Sequence, residues 1–264
     1  MIEIRSCKGM EELEACVRLE TETWGYDETE VIPRKTFLLA QMIGGQVIGA
    51  FHRSQGADGS AHLVGFAMSL PGIHEAEGRA MPYLHSHMLA VREDYRNRGV
   101  GAQLKQAQRD EALRRGIRHM EWTFDPLEIK NAFLNIHRLG AFSRSYRPNF
   151  YGVSSSRLQG GLPTDRLLAE WELDSPRVQA FLHGRSAARQ AIDESIMIPA
   201  SIEMWKANDR ERALAVQNQI RGRFQGAFER GLAVLGFLRD REGNGIFELG
   251  PLPDEARNPE QGSK

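Results

Sequence analysis

Residues 87–116 read HMLAVREDYRNRGVGAQLKQAQRDEALRRG: an apolar run, a turn rich in arginine and glycine, and a segment of helical character closed by Gly116. The run predicts a strand from Tyr83 to Val91, and the segment after the turn predicts a helix from Gly99 to Arg115. Between them Arg96, Gly99 and Gly101 spell R-x-x-G-x-G. Glycines let such a turn tighten and let a ligand approach the main chain. First-turn amides without partners inside the helix, together with the positive end of its dipole, favour an anion. A pyrophosphate fits that requirement, with Arg96 and Arg98 adding charge at the same edge. The plainer reading is a strand-to-helix turn with surface arginines, and on the turn alone both stay open. Two other phosphate motifs do not match. Leu104 stands where a dinucleotide fingerprint has its third glycine, and no Gly-Lys-Ser or Gly-Lys-Thr is present.

Upstream of this stretch, Ile2 to Cys7 alternates like a strand, and Met10 to Leu19 recurs at helical spacing until Gly25. Pro33 precedes a helix through Met42, and Gln46 to His52 and His62 to Leu70 read as strands joined by the turn-rich SQGADGS. Downstream, Ile117 to Phe124 predicts a strand and Lys130 to Leu139 a short helix stopped by Gly140. A strand, a helix and a second strand in that order make a βαβ unit with parallel strands. Tyr146 to Val153 and Arg166 to Leu173 are further candidate strands flanking SSSRLQGGLPT, a loop expected to be a mobile edge. After Asp174 the pattern restarts: a helix at Pro176 to Leu182, a strand at Ile196 to Ala200, a long helix from Asp209 to Arg230, and a hairpin of Leu232 to Leu238 with Gly245 to Leu249. The fold class is mixed α/β, with residues 1–173 as the main domain, 174–250 as a C-terminal α/β extension and 251–264 as a loosely ordered tail.

The chain has 264 residues, 41% hydrophobic and 26% charged, the profile of a globular protein, and this excludes disorder and collagen-like repeats. Its 34 basic and 35 acidic residues leave a net charge of −1, which argues against nucleic acid as the main partner. Two cysteines, Cys7 and Cys16, supply neither a disulfide framework nor a CxxC zinc site and point to a reducing, cytoplasmic setting. The acidic N-terminus and the lack of long apolar runs argue against export and a membrane span.

Met88 to Val91, the turn Arg96 to Gly101 and the following helix resemble the acyl-CoA motif of the GNAT N-acetyltransferase superfamily. The run NAFLNIHRLGAF, with Asn131 at its start and Leu139 and Gly140 near its end, is similar to that family's second motif. The resemblance covers residues 1–173. It implies a GNAT-like fold with splayed central strands, and an enzyme that moves an acyl group from acetyl-CoA, or a larger acyl-CoA such as succinyl-CoA, to an amine by direct attack. It further implies that the amides of Arg98, Gly99, Val100, Gly101 and Ala102 cradle the pyrophosphate beside Arg96. The pantetheine arm then pairs with the main chain near Leu89 and Val91, an amide near Leu89 faces the thioester oxygen, and Asn131 contacts the arm or supports the turn. For Asn131 a helix N-cap is the alternative. A homodimer follows from family habit.

An amine acceptor is mostly protonated at neutral pH, so a base is required. His85 and His87 sit two apart on one strand face, and His85 is the first choice; hydrogen-bonded structural histidines are the alternative. Two histidines do not make a metal site and thioester transfer needs no metal, so none is expected. Glu20 and Glu22 are alternative bases. The family's leaving-group Tyr is replaced by Ile136, which leaves Tyr146 or Tyr151 as substitutes, unless they are strand aromatics. Arg144 and Arg147 are candidates for pairing with an acyl carboxylate. The acceptor is expected to be a small-molecule amine. A catalytically weak acyl-CoA-binding or sensing module and a nucleotide or phosphosugar enzyme are the competing readings.

Overall fold

A computed structural model describes residues 1–53, 61–76, 78–185 and 191–252. The SQGADGS turn and residues 253–264 of the tail lie outside them. The chain divides into two compact units, Met1–Glu121 with Ser155–Leu158, and Trp122–Ser154 with Gln159–Lys264.

The first unit is a sheet with helices on both faces. Its strands are β1 (Ile2–Ser6), β2 (Gln46–Arg53), β3 (Ala61–Ala76) and β4 (Arg79–Val91), joined by β5 (His119–Phe124), whose last residues pass into the second unit. The first four pair antiparallel in chain order, and β5 adds to β4 in parallel. Strand alternation gives the sheet two apolar faces. On one, Phe66, Met68, Met88 and Ala90 pack with Leu13, Cys16, Leu19, Phe37 and Ala40 of helices α1 (Gly9–Trp24) and α2 (Arg34–Met42). On the other, Val64 and Ala67, with Leu89 and Val91, meet Val100 and Leu104 of α3 (Val100–Arg114). Cys7 and Cys16 are free, buried thiols within the first of these layers.

The second unit contains α4 (Ile129–Ala132), which continues into a π-helical turn at Phe133–Arg138. It also holds the antiparallel pair β6 (Tyr146–Arg147) and β7 (Arg166–Glu172), and helices α5 (Pro176–Leu182), α6 (Ile202–Asn208) and α7 (Arg210–Glu229). A three-stranded antiparallel sheet takes β8 (Glu194–Ile198), β10 (Gly245–Pro251) and β9 (Leu232–Arg239) in that order. Segment 122–154 packs with this sheet: Phe142 is buried with Ala233, Leu235 and Leu252, and Ser143 bridges Val234.

The mixed α/β class agrees with the sequence reading, and three elements differ. The β3–β4 hairpin extends past Leu70 because Gly72, which has no Cβ, lets the Tyr83 ring lie across it; a Cβ there would stand 2.4 Å from that ring. The strand expected over Tyr146 to Val153 stops after Arg147, since Asn149 takes a left-handed φ of 44° and its amide donates to Asp165 Oδ1. The loop SSSRLQGGLPT, expected to be a mobile edge, is anchored within the first unit at Ser155. Ser155 Oγ accepts from the Asp27 amide at 2.9 Å, and the Ser155 amide donates to Glu30.

Candidate active site

Sequence dictates the phosphate turn directly. After β4, one 3₁₀ turn (Glu93–Tyr95) hands the chain to Arg96, and Asn97 and Gly99 then adopt left-handed φ angles of 59° and 79°. Two such residues flanking Arg98 turn successive amides to one side, and α3 begins without a side-chain cap. Among the described residues, none of the amides from Arg98 to Ala102 donates to a protein acceptor. Five donors at the start of a 15-residue helix form an anion nest. Gly65 makes the helix start possible, because a Cβ there would press on Ala90 O, Leu104 and Val100 at 3.1 to 3.4 Å.

Arg96 and Arg98 are both exposed, with different tasks. Arg96 Nε donates to Val91 O at 3.0 Å, tying the turn to the strand end, whereas Arg98 lies over the Tyr95 ring. Tyr95 is itself held by His52 at 2.7 Å. Leu89 and Val91 lie on the strand that runs into the turn, their side chains packed towards α3.

Within the first unit the parallel ladder between β4 and β5 pairs Leu84 with Met120 and His85 with Glu121, and β4 continues six residues to Val91. Among the described residues of the first unit, the edge of β4 from Ser86 to Val91 that faces away from β3 has no ladder partner. A β-bulge lies at the same place: Met68 pairs with Met88 but Leu70 pairs with His85, so β4 carries one more residue than β3. Ser86 points towards α3, where its hydroxyl accepts from Lys105 Nζ at 2.8 Å and donates to Gln108 Oε1 at 2.9 Å. Met88 and Ala90 pack on the α1–α2 side. The extra residue therefore turns His85 and His87 to the α1–α2 face as well, their rings 6.1 Å apart. Lys105 is fully buried, which pushes its pKa well below the ordinary lysine value.

His85 meets a partner that sequence reasoning missed. Its Nδ1 lies 3.5 Å from Glu121 Oε1. The other oxygen, Oε2, lies 3.3 Å from His74 Nε2 and 3.9 Å from His119 Nε2. Tyr83 also hydrogen-bonds Glu121. Burial pushes the Glu121 carboxyl up, but hydrogen bonds from His119 and His85 and the charge of His74 outweigh it, and the net shift is downward. The signal was present in the pattern: H-S-H on β4 beside H-M-E on β5 brings these side chains together once the parallel register is known.

On the α1–α2 side, Glu22 and Thr23 face Arg92, Glu93 and Arg96 across a shallow cleft of about 170 Å³. Gly25, at φ 63°, gives room to Arg157, whose guanidinium reaches Glu22 O. Glu20 is buried rather than solvated: Oε1 accepts from the Ile32 amide at 2.9 Å, and Oε2 has no partner among the described residues. Burial pushes its pKa up to about 7.

The remaining candidates lie in the second unit. Tyr146 donates to the buried Asp165 at 2.7 Å, and burial raises its pKa above the ordinary tyrosine value. Its proton is committed, unlike that of the leaving-group acid expected from sequence. Tyr151 is half exposed and bonds to Thr123 Oγ1 at 2.8 Å. Arg144, expected to meet an acyl carboxylate, is paired in bidentate fashion with Glu170 at 3.0 and 2.9 Å. Asn131 is exposed within α4, whose N-cap is Glu128, so the N-cap alternative does not apply. Ile136 is fully buried in the π-helical turn.

The profile of the Acetyltransferase (GNAT) family matches residues 13–134. Among solved structures, Arabidopsis thaliana NAA60 in complex with acetyl-CoA is 15% identical with a TM-score of 0.54, over 66% of this chain and 100% of that one. The same plant protein with a bisubstrate analogue is 17% identical with a TM-score of 0.50, over 65% and 98%. At such identities the likeness is one of fold. No curated protein matches the chain. Among the described residues no helix is long and apolar enough to cross a membrane. Residues 13–134, the stretch similar to the GNAT acetyltransferase family, hold β4 and the amide nest.

Proposed function

We propose that the protein transfers an acetyl group from acetyl-CoA to the amine of a small molecule by direct attack, without a covalent enzyme intermediate. The observation that carries this reading is the nest of unpaired amides at Arg98–Ala102, set at the end of a strand whose edge is open from Ser86 to Val91. The amides of Arg98, Gly99, Val100, Gly101 and Ala102 hold the pyrophosphate, and Arg98 adds charge. The pantetheine amides pair with the open main chain at Leu89 and Val91, as an added strand would. The Leu89 amide donates to the thioester oxygen as it becomes an oxyanion, where a fixed donor has most effect. His85 takes the amine proton, its ring oriented by Glu121. The nitrogen then forms its bond to the thioester carbon and, as the C–S bond breaks, gives its second proton to solvent, and the thiolate, of pKa about 8.5, departs without Tyr146. Acetyl is proposed rather than succinyl; of the two arginines considered for an acyl carboxylate, Arg144 is engaged with Glu170 and Arg147 is exposed. The cleft between Glu22 and Arg96 bounds the acceptor side.

The replacement of the family's Tyr by the buried Ile136 supports one competing reading, an acyl-CoA-binding module without turnover. Calorimetry with CoA, followed by free-thiol release over a panel of small amines, decides. Gly99→Val forces a β-branched residue into a left-handed φ, and it is expected to weaken CoA binding at least tenfold. Tight CoA binding with no thiol release for any amine would establish the binding module. Unchanged CoA affinity in Gly99→Val would remove the nest from the argument.

A further inference from the structure

His74, His119 and Glu121 place one ligand atom each within 4.8 Å of one another, and they come from two strands, β3 and β5, on either side of β4. We propose that these three residues bind a divalent transition-metal ion, of which Zn²⁺ is the type, as a staple between the outer end of the β3–β4 hairpin and β5. The site is separate from the amide nest, and its case does not depend on acyl transfer.

The geometry is close to that of a bound ion. Donors around tetrahedral zinc, at bond lengths of about 2.0 to 2.1 Å, stand roughly 3.3 Å apart. His74 Nε2 and Glu121 Oε2 are already 3.3 Å apart, and His119 Nε2 lies 3.9 Å from the same oxygen, so a small rotation of its ring completes the set. His74 is half exposed, whereas Glu121 is only 12% exposed.

The donor chemistry selects the class of ion. Two imidazole nitrogens and one carboxylate suit zinc, cobalt or nickel; calcium and magnesium prefer all-oxygen sets. Three protein ligands leave a fourth position open to solvent on the His74 side. The surroundings match those of metal ligands, which are oriented by outer partners. Tyr83 stacks on the His74 ring at 3.9 Å between centroids with planes 12° apart, and Gly72 provides the space for Tyr83 to do so. The second Glu121 oxygen faces His85. The H-S-H pair on β4 supplies none of the three ligands, which is why sequence spacing did not disclose the site.

The test uses the full chain stripped with a chelator and then titrated with Zn²⁺ alone, or with Co²⁺ followed by its visible absorption. One ion per chain is expected, with affinity lowered at least tenfold by His74→Ala and by His119→Ala and unchanged by His183→Ala, an exposed histidine on the far side of the sequence. Zn²⁺ is also expected to raise the urea midpoint of the native sequence but not that of His74→Ala, a surface change that leaves the core intact. Absence of stoichiometric binding, or binding that survives both ligand substitutions, or an equal loss in His183→Ala, would overturn the proposal.

Discussion

Glu20 uses one of its two carboxylate oxygens and leaves the other buried with no donor among the described residues. Its proton is held up to about pH 7 in the folded protein, against an ordinary value of 4.5. Between those two values the folded state binds the proton that the unfolded chain has released. Its contribution to stability is therefore complete below about pH 4.5 and declines as pH rises to about 7. Gln at this position keeps an acceptor for the Ile32 amide and removes the charge. Glu20→Gln is expected to match the native sequence at pH 4.5 and to exceed it by about 1–2 kcal/mol at pH 8, in urea unfolding. Identical slopes of stability against pH in the two proteins would contradict this account. At this scale sequence reading named the residue but not its state. A carboxylate near a helix end is normally solvated, and its burial follows from the return of residues 26–32 over α1, which no local pattern encodes.

The β-bulge of β4 depends on a polar chain that runs beneath the sheet. Lys105 donates to Ser86, Ser86 to Gln108, Gln46 Nε2 to Gln108 O, and Ser69, the β3 residue at the register shift, to Gln46 Oε1. Buried networks of this kind hold one conformation even with Gln108 Nε2 unpartnered among the described residues, and removal of one member leaves further buried groups unpaired. Ser86→Ala is expected to lose about 1–3 kcal/mol of stability. It is also expected to raise KM for acetyl-CoA more than it lowers kcat, because the displaced strand edge no longer meets the pantetheine arm squarely. A change in kcat alone would assign Ser86 to the chemistry instead. The turn Arg96–Gly101 and helix α3 were legible because glycine, arginine and helical periodicity are local signals. The bulge was not, since it appears only when β3 and β4 are paired, and neither was Glu121, whose neighbours are 36 to 47 residues away in sequence for His85 and His74. The short α6 escaped for a related reason: seven residues give too little periodicity to stand out.

Over the whole molecule, each compact unit has its own polar anchor, and the two respond to different perturbations. The second unit centres on Asp165, fully buried, which accepts from Tyr146, the Asn149 amide and two nitrogens of Arg221. Tyr146 stacks on Phe224, and Phe224 meets Phe247, so this carboxylate joins the β6 segment to α7 and to the sheet of β8, β9 and β10. Asp165→Ala leaves the Tyr146 hydroxyl and an arginine without their acceptor, and the expected loss is about 3 kcal/mol in denaturant unfolding. In the proposed reading acetyl-CoA binds elsewhere, since the nest and the strand edge assigned to it belong to the first unit. At 100 times its dissociation constant a ligand adds about 2.7 kcal/mol to the state that binds it. Hydrogen exchange should therefore slow in residues 86–104 on adding acetyl-CoA. In Asp165→Ala without ligand, exchange should quicken first in β6, α7 and β10. Slowing centred on β8–β10, with 86–104 unaffected, would place the cofactor in the second unit and refute the assignment of the nest.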